Sequence, residues 1–344
     1  MIPKNFKDSE AGRVILAWLL AVVLMVALMM LIGAITRLTE SGLSMVEWRP
    51  FIGVLPPFSE AEWSRIFDLY RQTSEYRLEN AGMPMSEFKT IFWWEYIHRL
   101  WGRLIGLAFA VPLAWFLWRG YIPKPLKPHL FVLLCLGGLQ GIIGWWMVNS
   151  GFVDRHDVSQ YRLVVHLAVA FLILGYLIWL IAEFFERTAA VPATPDTLRR
   201  GTTGFLLLVA VTIISGGLVA GLGAGFDYNT WPLMADNLVP AGLYDSSPWW
   251  LAAFEDVLSV QFDHRILAYL TFILAMVLLW RAKKLSVTRW QYASHLMLAI
   301  AVLLQLLLGI ATLLSVVSLP LAVLHQAGAI LLFSSAILAR HACR

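Results

Sequence analysis

Eight apolar stretches of about 20 residues follow one another along the chain, with polar connections between them. Their approximate bounds are 14–36, 97–118, 129–149, 161–182, 203–223, 259–280, 290–314 and 320–339. A helix of about 20 residues crosses the hydrocarbon core of a bilayer, which is about 30 Å thick. The pattern therefore predicts an all-α integral membrane protein with eight transmembrane helices.

The eight stretches form two sets of four that carry the same features in the same order. Glycine, tryptophan and proline occur at the end of the first stretch and just after it as Gly33, Gly42, Trp48 and Pro50, and in the same order for the fifth as Gly217, Gly225, Trp231 and Pro232. Later matches are EYIHRLWGRLIG at 95–106 with QFDHRILAY at 261–269, Gln140 and Gly144 with Gln305 and Gly309, and VVHLAVAFL with VLHQAGAIL. We therefore predict two four-helix bundles, residues 1–190 and 191–344, related by a pseudo-twofold axis along the membrane normal.

Composition and charge agree with this prediction and add an orientation. Of the 344 residues, 59% are hydrophobic and only 14% are charged, about half the charged fraction of a soluble domain. Lys and Arg lie in the N-terminal segment, the even-numbered connections and the tail, whereas the fifth connection is acidic. Positively charged loops face the cytoplasm, so we expect both termini there, in a bacterial inner membrane. The net charge of +4 then reflects topology, and we expect no nucleic-acid partner.

Four histidines occupy matching positions, within the first one or two turns of the even-numbered predicted helices. They are His98, His166, His264 and His325. A single histidine in an apolar helix is more often a structural contact, but four at matching positions favour ligand binding, because such side chains are costly in a membrane. The remaining histidines have no repeat partner, and we interpret them as structural or solvated: His129, His156, His295 and His341.

The ligand suggested by these histidines is heme. The second and fourth helices of each bundle run parallel, so His98 can face His166 and His264 can face His325. Two opposed imidazoles suit the two axial positions of heme iron. A zinc or copper site would normally add a third or fourth Cys, His or carboxylate ligand.

Several arginines are candidates for binding the heme propionates. Arg99 and Arg265 each follow a histidine directly, and a guanidinium can pair with a carboxylate through two parallel hydrogen bonds. The alternative is that both side chains extend to the membrane interface. Weaker candidates are Arg37, Arg103 and Arg162.

The two halves differ three residues before the second-helix histidine, where Glu95 corresponds to Gln261. This spacing places each residue on the same helix face as its histidine. A carboxyl group can move protons or stabilise positive charge, whereas an amide can only hydrogen-bond. We therefore expect chemistry in the first half and a resident cofactor in the second. The alternative for Glu95 is a carboxylate at the N-terminus of its helix.

A long connection, about 37–94, separates the first two spans. Within it, AEWSRIFDLYRQ at 61–72 places Trp63, Ile66, Phe67 and Tyr70 at helical spacing. We expect helices lying over the outer mouth of the first bundle. A lid on one half only suits a site that admits and releases a substrate.

The motif FWWEYIHRLWGRLIG at 92–106, the second DHR at 263–265 and the four placed histidines resemble the heme A synthase family across nearly the whole chain. The resemblance implies oxidation of the C8 methyl group of heme O to a formyl group by successive hydroxylations, which supplies heme A to terminal oxidases. It also implies that His98 and His166 hold the substrate, that Glu95 takes part in catalysis, and that His264 and His325 ligate heme b.

Some bacterial members of that family carry a cysteine pair in an outer loop, which this chain lacks there, so it resembles the mitochondrial and alphaproteobacterial branch. Iron with two histidine ligands has no open position for dioxygen, which favours electron removal with water as the oxygen source. Partners expected on this basis are heme O synthase, an unidentified electron acceptor, oxidase assembly factors, membrane lipid and a second copy of the chain. Three alternatives stay open: a quinol-oxidising diheme cytochrome, a transporter with histidine proton relays, and heme delivery without conversion.

Overall fold

A computed structural model describes residues 2–47, 55–153, 157–185 and 194–344. Eight long helices lie in these ranges: α2 (Glu10–Leu38), α5 (Met85–Trp118), α6 (Lys127–Val153), α7 (Gln160–Phe185), α8 (Asp196–Gly221), α10 (Val257–Lys284), α11 (Arg289–Leu314) and α12 (Leu319–Ala342). Four are short: α1 (Lys4–Lys7), α3 (Glu60–Tyr70), α4 (Ser74–Leu78) and α9 (Ala252–Glu255). The long helices have the length and composition of membrane spans, which confirms the predicted all-α, eight-span architecture.

Some features predicted from the sequence lie outside the described residues, namely Trp48, Pro50, His156 and the boundary between 190 and 191. The division into 1–190 and 191–344 therefore stays a prediction. We call the side of the membrane that carries α3 and α4 the lid side. Both termini lie on the opposite side, since the number of spans is even.

The long helices follow from their composition and from specific caps at their ends. They hold 24 to 34 residues, or about 36 to 51 Å, so each is longer than the apolar core of a bilayer. The Ser9 hydroxyl caps α2 by accepting from the Gly12 amide at 3.0 Å, and Asp256 caps α10. Leu24 and Leu107 are more than half exposed on the outer surface, where lipid would surround them.

The predicted span bounds agree with the structure within several residues, except at the start of the second span. That helix was expected to begin near residue 97, but α5 begins at Met85. Its first turns are less apolar than a membrane span. They are helical because Phe88, Phe92 and Tyr96 pack against the lid and are buried there.

The spans pack as two similar sets around a shared centre. In the first set, α2 contacts α5 and α6 contacts α7; in the second, α8 contacts α10 and α11 contacts α12. At the centre α7 contacts α12, and the first helix of each set contacts the fourth helix of the other. This exchange of equivalent contacts is what the predicted pseudo-twofold axis requires.

Small residues bring the central helices close together. A methyl group placed on Gly175 of α7 would lie 2.8 Å from the ring of Phe333 on α12. On α8, Gly217 and Gly221 lie against α7 and are spaced by four positions, the spacing that lets membrane helices approach closely. The two sets therefore share a tightly packed wall.

The lid consists of α3 and α4, residues 60–78. Trp63, Phe67 and Tyr70 of α3 are buried against the lid-side turns of α5, with Phe67 stacked on Phe88 at a centroid distance of 4.8 Å. Ile66 is partly buried beside them. The predicted amphipathic helix over the first bundle is therefore confirmed.

The sets differ in how their second and third helices meet. In the second set α10 and α11 contact each other extensively, whereas α5 and α6 of the first set contact over few residues. Gly106 of α5 and Gly141 of α6 have open space where a side chain would be. The first bundle is therefore more open between these two helices than its counterpart.

Candidate functional site

Each of the four predicted histidines lies against a glycine of the preceding span. The pairs are Gly33 with His98, Gly144 with His166, Gly216 with His264 and Gly309 with His325. A methyl group on these glycines would approach the imidazole atoms to 3.3, 3.1, 3.0 and 3.0 Å respectively, closer than the about 3.5–4.0 Å of favourable contact. An imidazole therefore packs on a glycine four times, which makes room for the rings between helices, but His98 turns Nε2 and Cδ2 toward its glycine whereas the other three rings turn Cε1 toward theirs.

These contacts correct the sequence pairing of Gly33 with Gly217. Gly216 contacts His264, whereas Gly217 faces Val164 of α7. With Gly216 as the partner of Gly33, the spacing between the repeats is 183 positions, the same as from Gly42 to Gly225. A single offset therefore relates the first helix and the following loop of both halves.

The depth predicted for His98 within its helix is also wrong. His166, His264 and His325 lie about two turns into their helices, as expected, but His98 lies about four turns into α5. The reason is the lid-side extension of α5. Like the other three histidines, however, His98 lies at the level of a glycine on the preceding span.

Within each bundle the two histidines face a common interior. The side chains of His98 and His166 lie within electrostatic range of each other, and so do those of His264 and His325. All four side chains are only half-buried, although protein atoms surround them densely. Their accessible surfaces therefore face space inside the bundles, which supports the predicted pairs.

The fourth-helix histidines leave polar atoms in need of a partner. Gln140 and Gln305 approach the imidazole Nε2 of His166 and His325, each at 3.4 Å. The Oε1 atoms of both glutamines and the Nδ1 atoms of both histidines are buried without a hydrogen bond in the described structure. For His325 the backbone carbonyl of Gln305 is nearby, but not in hydrogen-bonding geometry. Two imidazoles beside glycine-lined space with unpaired polar atoms fit a heme in each bundle.

Ser215 adds a polar contact to the second bundle that sequence reasoning missed. Its hydroxyl lies 2.7 Å from Nδ1 of His264 and donates to the carbonyl of Thr212 at 2.9 Å. At the offset of 183 positions, the first bundle has Ile32 in this place. Comparison of the repeats with Gly33 aligned on Gly216 would have revealed the difference.

Glu95 is buried and engaged by three donors. Its Oε2 accepts from the Ser44 hydroxyl and from the Met45 amide, both at 2.7 Å. Its Oε1 accepts from the Arg99 guanidinium at 2.5 Å, and Arg99 also donates to the Met45 carbonyl at 3.0 Å. Glu95 thus holds the start of the long connection against α5. It lies well inside the helix, so the alternative of a carboxylate at the helix N-terminus is wrong.

Gln261 holds the corresponding loop of the second bundle, but it donates to a loop carbonyl, whereas Glu95 accepts from a loop amide. Its amide donates to the Ala224 carbonyl at 2.6 Å, and its Oε1 accepts from Arg265 at 2.9 Å. Arg265 also donates to the Tyr228 carbonyl, which lies at the position of Met45 in the repeat. The arginine contacts are therefore repeated, and only the carboxylate is particular to the first bundle.

A cavity of about 320 Å³ lies beneath the lid of the first bundle. Arg99 and Arg103 line it together with Phe92 and with residues of α3, whereas the histidines do not. The space is enough for on the order of ten water molecules. It places three guanidinium groups, those of Arg65, Arg99 and Arg103, beside a cavity at the lid-side end of the bundle.

A family model described as cytochrome oxidase assembly protein matches residues 16–337, nearly the whole chain. The chain belongs to this family. The relatives are named heme A synthase: that of Rhodospirillum centenum is 47% identical over 326 residues, covering 95% of this chain and 87% of its own. That of Bradyrhizobium diazoefficiens is 47% identical over 332 residues, covering 96% and 91%. That of Nitrosospira multiformis is 42% identical over 343 residues, covering 99% and 96%.

These relatives confirm the resemblance to heme A synthase and, since they are mostly alphaproteobacterial, the predicted branch. The chain is thus a bacterial multi-pass membrane protein of the heme A synthase family, an oxidoreductase family of heme A biosynthesis. The roles of individual residues stay predictions, and the geometry supports some of the candidate residues more than others.

Two weaker arginine candidates bind backbone carbonyls instead of facing an interior in this heme A synthase relative. Arg37 donates to the Ala220 carbonyl of α8 at 3.0 Å, which connects the lid-side ends of the two sets. Arg162 donates to the Trp146 carbonyl at 2.8 Å and lies over the Trp146 ring. Among the five arginine candidates, the cavity therefore favours Arg99 and Arg103 for the first bundle.

Histidines outside the repeat make ordinary helix contacts in this family member. His129 hydrogen-bonds to the Tyr176 hydroxyl at 2.7 Å, and His295 to the Thr202 hydroxyl at 3.0 Å. His341 is buried and packs against Trp179. These contacts support the structural interpretation of the three residues.

Proposed function

We propose that the protein is a heme A synthase that oxidises the C8 methyl group of heme O to a formyl group by successive hydroxylations. The observation that carries the proposal is the contrast between the bundles. The first has the buried carboxylate of Glu95, bound to three residues that line a cavity beneath α3, and the second has Gln261 and, among the described residues of its lid-side connection, only the four-residue α-helix α9. Chemistry and storage of a cofactor are thereby assigned to different halves.

In this proposal His98 and His166 hold heme O as substrate, and His264 and His325 hold a resident heme b. The glycine contact at each ring, and the buried unpaired polar atoms at His166 and His325, support these histidines as the residues that would hold the hemes. The more open contact between α5 and α6 supports exchange of heme in the first bundle. The close packing of α10 on α11 supports retention in the second.

The reaction requires water and the removal of electrons and protons. Each hydroxylation takes an oxygen atom from water and releases two electrons and two protons. A second hydroxylation yields a geminal diol, which loses water to give the formyl group. Heme b, when bound, supplies a one-electron carrier between the substrate and an acceptor outside the chain.

The contacts of Glu95 favour an electrostatic role over a proton-transfer role. Both carboxylate oxygens are occupied by donors from Ser44, Met45 and Arg99, so accepting a proton would break one of these contacts. A fixed carboxylate near the substrate stabilises positive charge that develops as electrons leave the methyl group. The neutral amide of Gln261 cannot do this.

The cavity and the lid provide the other requirements of the reaction. The space beneath α3 can hold the water that the hydroxylations consume, and the lid limits exchange with bulk solvent. Arg99 and Arg103 are the residues we assign to the substrate propionates. Arg265 has the same assignment for heme b.

We further infer that the protein lies in the bacterial inner membrane, with its lid side facing outward and both termini in the cytoplasm. The Lys and Arg residues of the even-numbered connections support this orientation. The expected partners are a heme O synthase that supplies the substrate, an external electron acceptor, oxidase assembly factors that receive heme A, and a second copy of the chain.

Extraction of hemes from cells that produce the protein together with a source of heme O tests the proposal. We expect heme A, formed only when the protein is present. Retained heme O without heme A would indicate heme delivery, and heme B alone would indicate a diheme electron-transfer cytochrome. Purified protein without a Soret band would favour a transporter.

The oxygen source is tested separately with isotope-labelled water. We expect the label in the hydroxymethyl intermediate, trapped before the carbonyl group can exchange its oxygen with solvent. Label arriving exclusively from dioxygen would contradict the proposed route while leaving the conversion itself intact.

A further inference from the structure

We propose that Ser215 is a positioning residue for the resident heme, because it fixes the His264 ring with Nε2 free to bind iron. Its absence from the first bundle, where Ile32 takes its place, is what allows heme to exchange there. The inference rests on the proposed function for its assignment of a resident heme to the second bundle. It concerns contacts of this chain that neither the repeat nor the family resemblance assigns.

The direction in which the Ser215 hydroxyl donates its hydrogen determines which nitrogen of His264 is free to bind iron. A serine hydroxyl has one hydrogen to donate, and Ser215 gives it to the Thr212 carbonyl at 2.9 Å. At 2.7 Å from His264 Nδ1, the same oxygen can then only accept. We assign the hydroxyl hydrogen to the Thr212 carbonyl, which can only accept, and this assignment places a hydrogen on Nδ1 of His264.

This arrangement leaves Nε2 as the atom with a free lone pair. A neutral imidazole carries a hydrogen on only one of its two nitrogens. With Nδ1 protonated and held, the ring has the tautomer and the orientation that a metal ligand needs. Partners of this kind typically change metal affinity by about 10- to 100-fold.

The neighbouring turn of α8 holds the serine in place. The Thr212 hydroxyl donates to the Leu208 carbonyl at 2.9 Å and lies 3.0 Å from the hydroxyl of Thr271 on α10. The Ser215 oxygen of α8 is therefore held beside one ring nitrogen of His264 on α10, next to the glycine that makes room for the ring.

The first bundle has the glycine without the hydroxyl. Ile32 precedes Gly33 as Ser215 precedes Gly216, and its buried side chain can neither donate nor accept a hydrogen bond. His98 therefore has no such oxygen from that position of α2. A substrate site has to release its product after each reaction, and weaker positioning of an axial ligand favours release.

The first test replaces Ser215 with alanine or valine in the full-length protein. We expect transfer of heme b to apomyoglobin to become about 10- to 100-fold faster. We also expect the midpoint potential of the resident heme to rise, because the ring loses an acceptor that makes it more basic. Ser334→Ala is the matched control, since Ser334 of α12 donates only to the Ile330 carbonyl of its own helix among the contacts described.

The reciprocal test places a hydroxyl in the first bundle. In Ile32→Ser we expect slower release of heme from that bundle and purified protein that carries more heme A. Ile32→Val controls for the lost volume without adding a hydroxyl. If heme retention increases in Ile32→Ser and not in Ile32→Val, the hydrogen bond causes the increase and the change in side-chain volume does not.

The proposal is overturned if Ser215→Val keeps heme b with the release rate and potential of Ser334→Ala. Wild-type protein that binds heme b but does not convert heme O would overturn the proposed reaction and leave the Ser215 comparison measurable. Wild-type protein whose second bundle binds no heme would overturn both.

Discussion

The two bundles place their histidines in the same way but surround them differently. In both, an imidazole packs on a glycine of the preceding helix, and an arginine one position later holds the following loop. In the first bundle a carboxylate, a lid and a loose contact between α5 and α6 are added. In the second, an amide, a serine beside the ring and a close contact between α10 and α11 take their places.

This difference separates binding from exchange. The repeated contacts are sufficient to place a pair of imidazoles in each bundle, which is what the proposed binding of heme requires. In the proposed function, the contacts that are not repeated determine whether the heme stays and whether it reacts. Variants that exchange these features between the bundles therefore test the assignment more sharply than loss of any single group.

Removal of one of the four paired histidines should have the largest effect. The property that is lost, heme b content or conversion of heme O, should depend on the bundle. We expect His264→Ala and His325→Ala to lose the heme b that remains with the purified protein, because each leaves iron with one protein ligand. His98→Ala and His166→Ala should keep heme b and lose conversion of heme O. Heme content by pyridine hemochrome assay, together with heme A formation, gives both readings. Loss of heme b in His98→Ala would reverse the assignment.

Exchange of Glu95 and Gln261 should have the next largest effect. In Glu95→Gln we expect heme A formation to fall by about 100-fold or more, with heme b content unchanged, because the carboxylate is lost. The measurement is the rate of heme A formation per bound heme b.

Gln261→Glu is the reciprocal control. A carboxylate there cannot donate to the Ala224 carbonyl, so we expect lower thermal stability of the second bundle and no new conversion. Unchanged activity in Glu95→Gln would remove the catalytic role from Glu95 and leave only its contacts to Ser44 and Met45.

A methyl group on the histidine-facing glycines should have a smaller effect that depends on the surroundings. Gly309→Ala places a carbon 3.0 Å from the His325 ring, and α11 is packed between α10 and α12, so we expect about tenfold faster loss of heme b. Gly144→Ala creates a similar contact at 3.1 Å, but α6 has fewer contacts on its α5 side and can shift. We expect a change in KM of a few-fold only. Equal effects of both variants would contradict the difference in packing.

We expect the smallest effect from pH, through its influence on the stability of the lid. Burial raises the pKa of Glu75 in α4 to about 8; the negative charges of Glu95 and Glu40 add to the rise, while the Tyr70 hydrogen bond and Arg37 oppose it. Because the folded pKa lies above the unfolded value of about 4.3, the stabilising contribution is complete below that value and is lost as pH rises through about 8. We expect proteolysis of the lid to accelerate a few-fold across this range.

Glu75→Gln should remove this pH dependence, because it keeps the shape and has no charge to bury. Glu79→Gln, an exposed site one turn later, should not change it. In the second bundle the acid of the loop helix α9, Glu255, is exposed, so proteolysis of its loops should not follow the same pH profile. A flat profile in the wild type would contradict the role of Glu75.

The sequence was sufficient to predict the eight spans, because these depend on composition, whereas the division into two repeats and the ligand role of the four histidines stay predictions. The early start of α5 could not be predicted from hydropathy. The turns from Met85 are helical through contacts of Phe88 and Phe92 with α3, which lies earlier in the chain. The amphipathic pattern of α3 predicted a lid but not its partner.

The contacts that distinguish the bundles were less accessible to prediction. The difference between Glu95 and Gln261 is visible in the aligned repeats, but the donors on Glu95 come from Ser44 and Met45, about 50 positions away and unlike their counterparts. Ser215 was hidden by an alignment error of one residue at adjacent glycines. Only the direction in which the His264 ring points identifies Gly216 as the equivalent of Gly33.

The tight contact of α7 with α12 has a consequence for electron tunnelling. His166 and His325 lie on two helices that touch, and packed helix axes are about 8–10 Å apart. With a heme in each bundle as proposed, one helix pair would set the tunnelling distance between them, and Phe171 and Phe333 are in ring contact within that pair. The rate of tunnelling would then be a property of the fold, while heme exchange in the first bundle would vary without changing it.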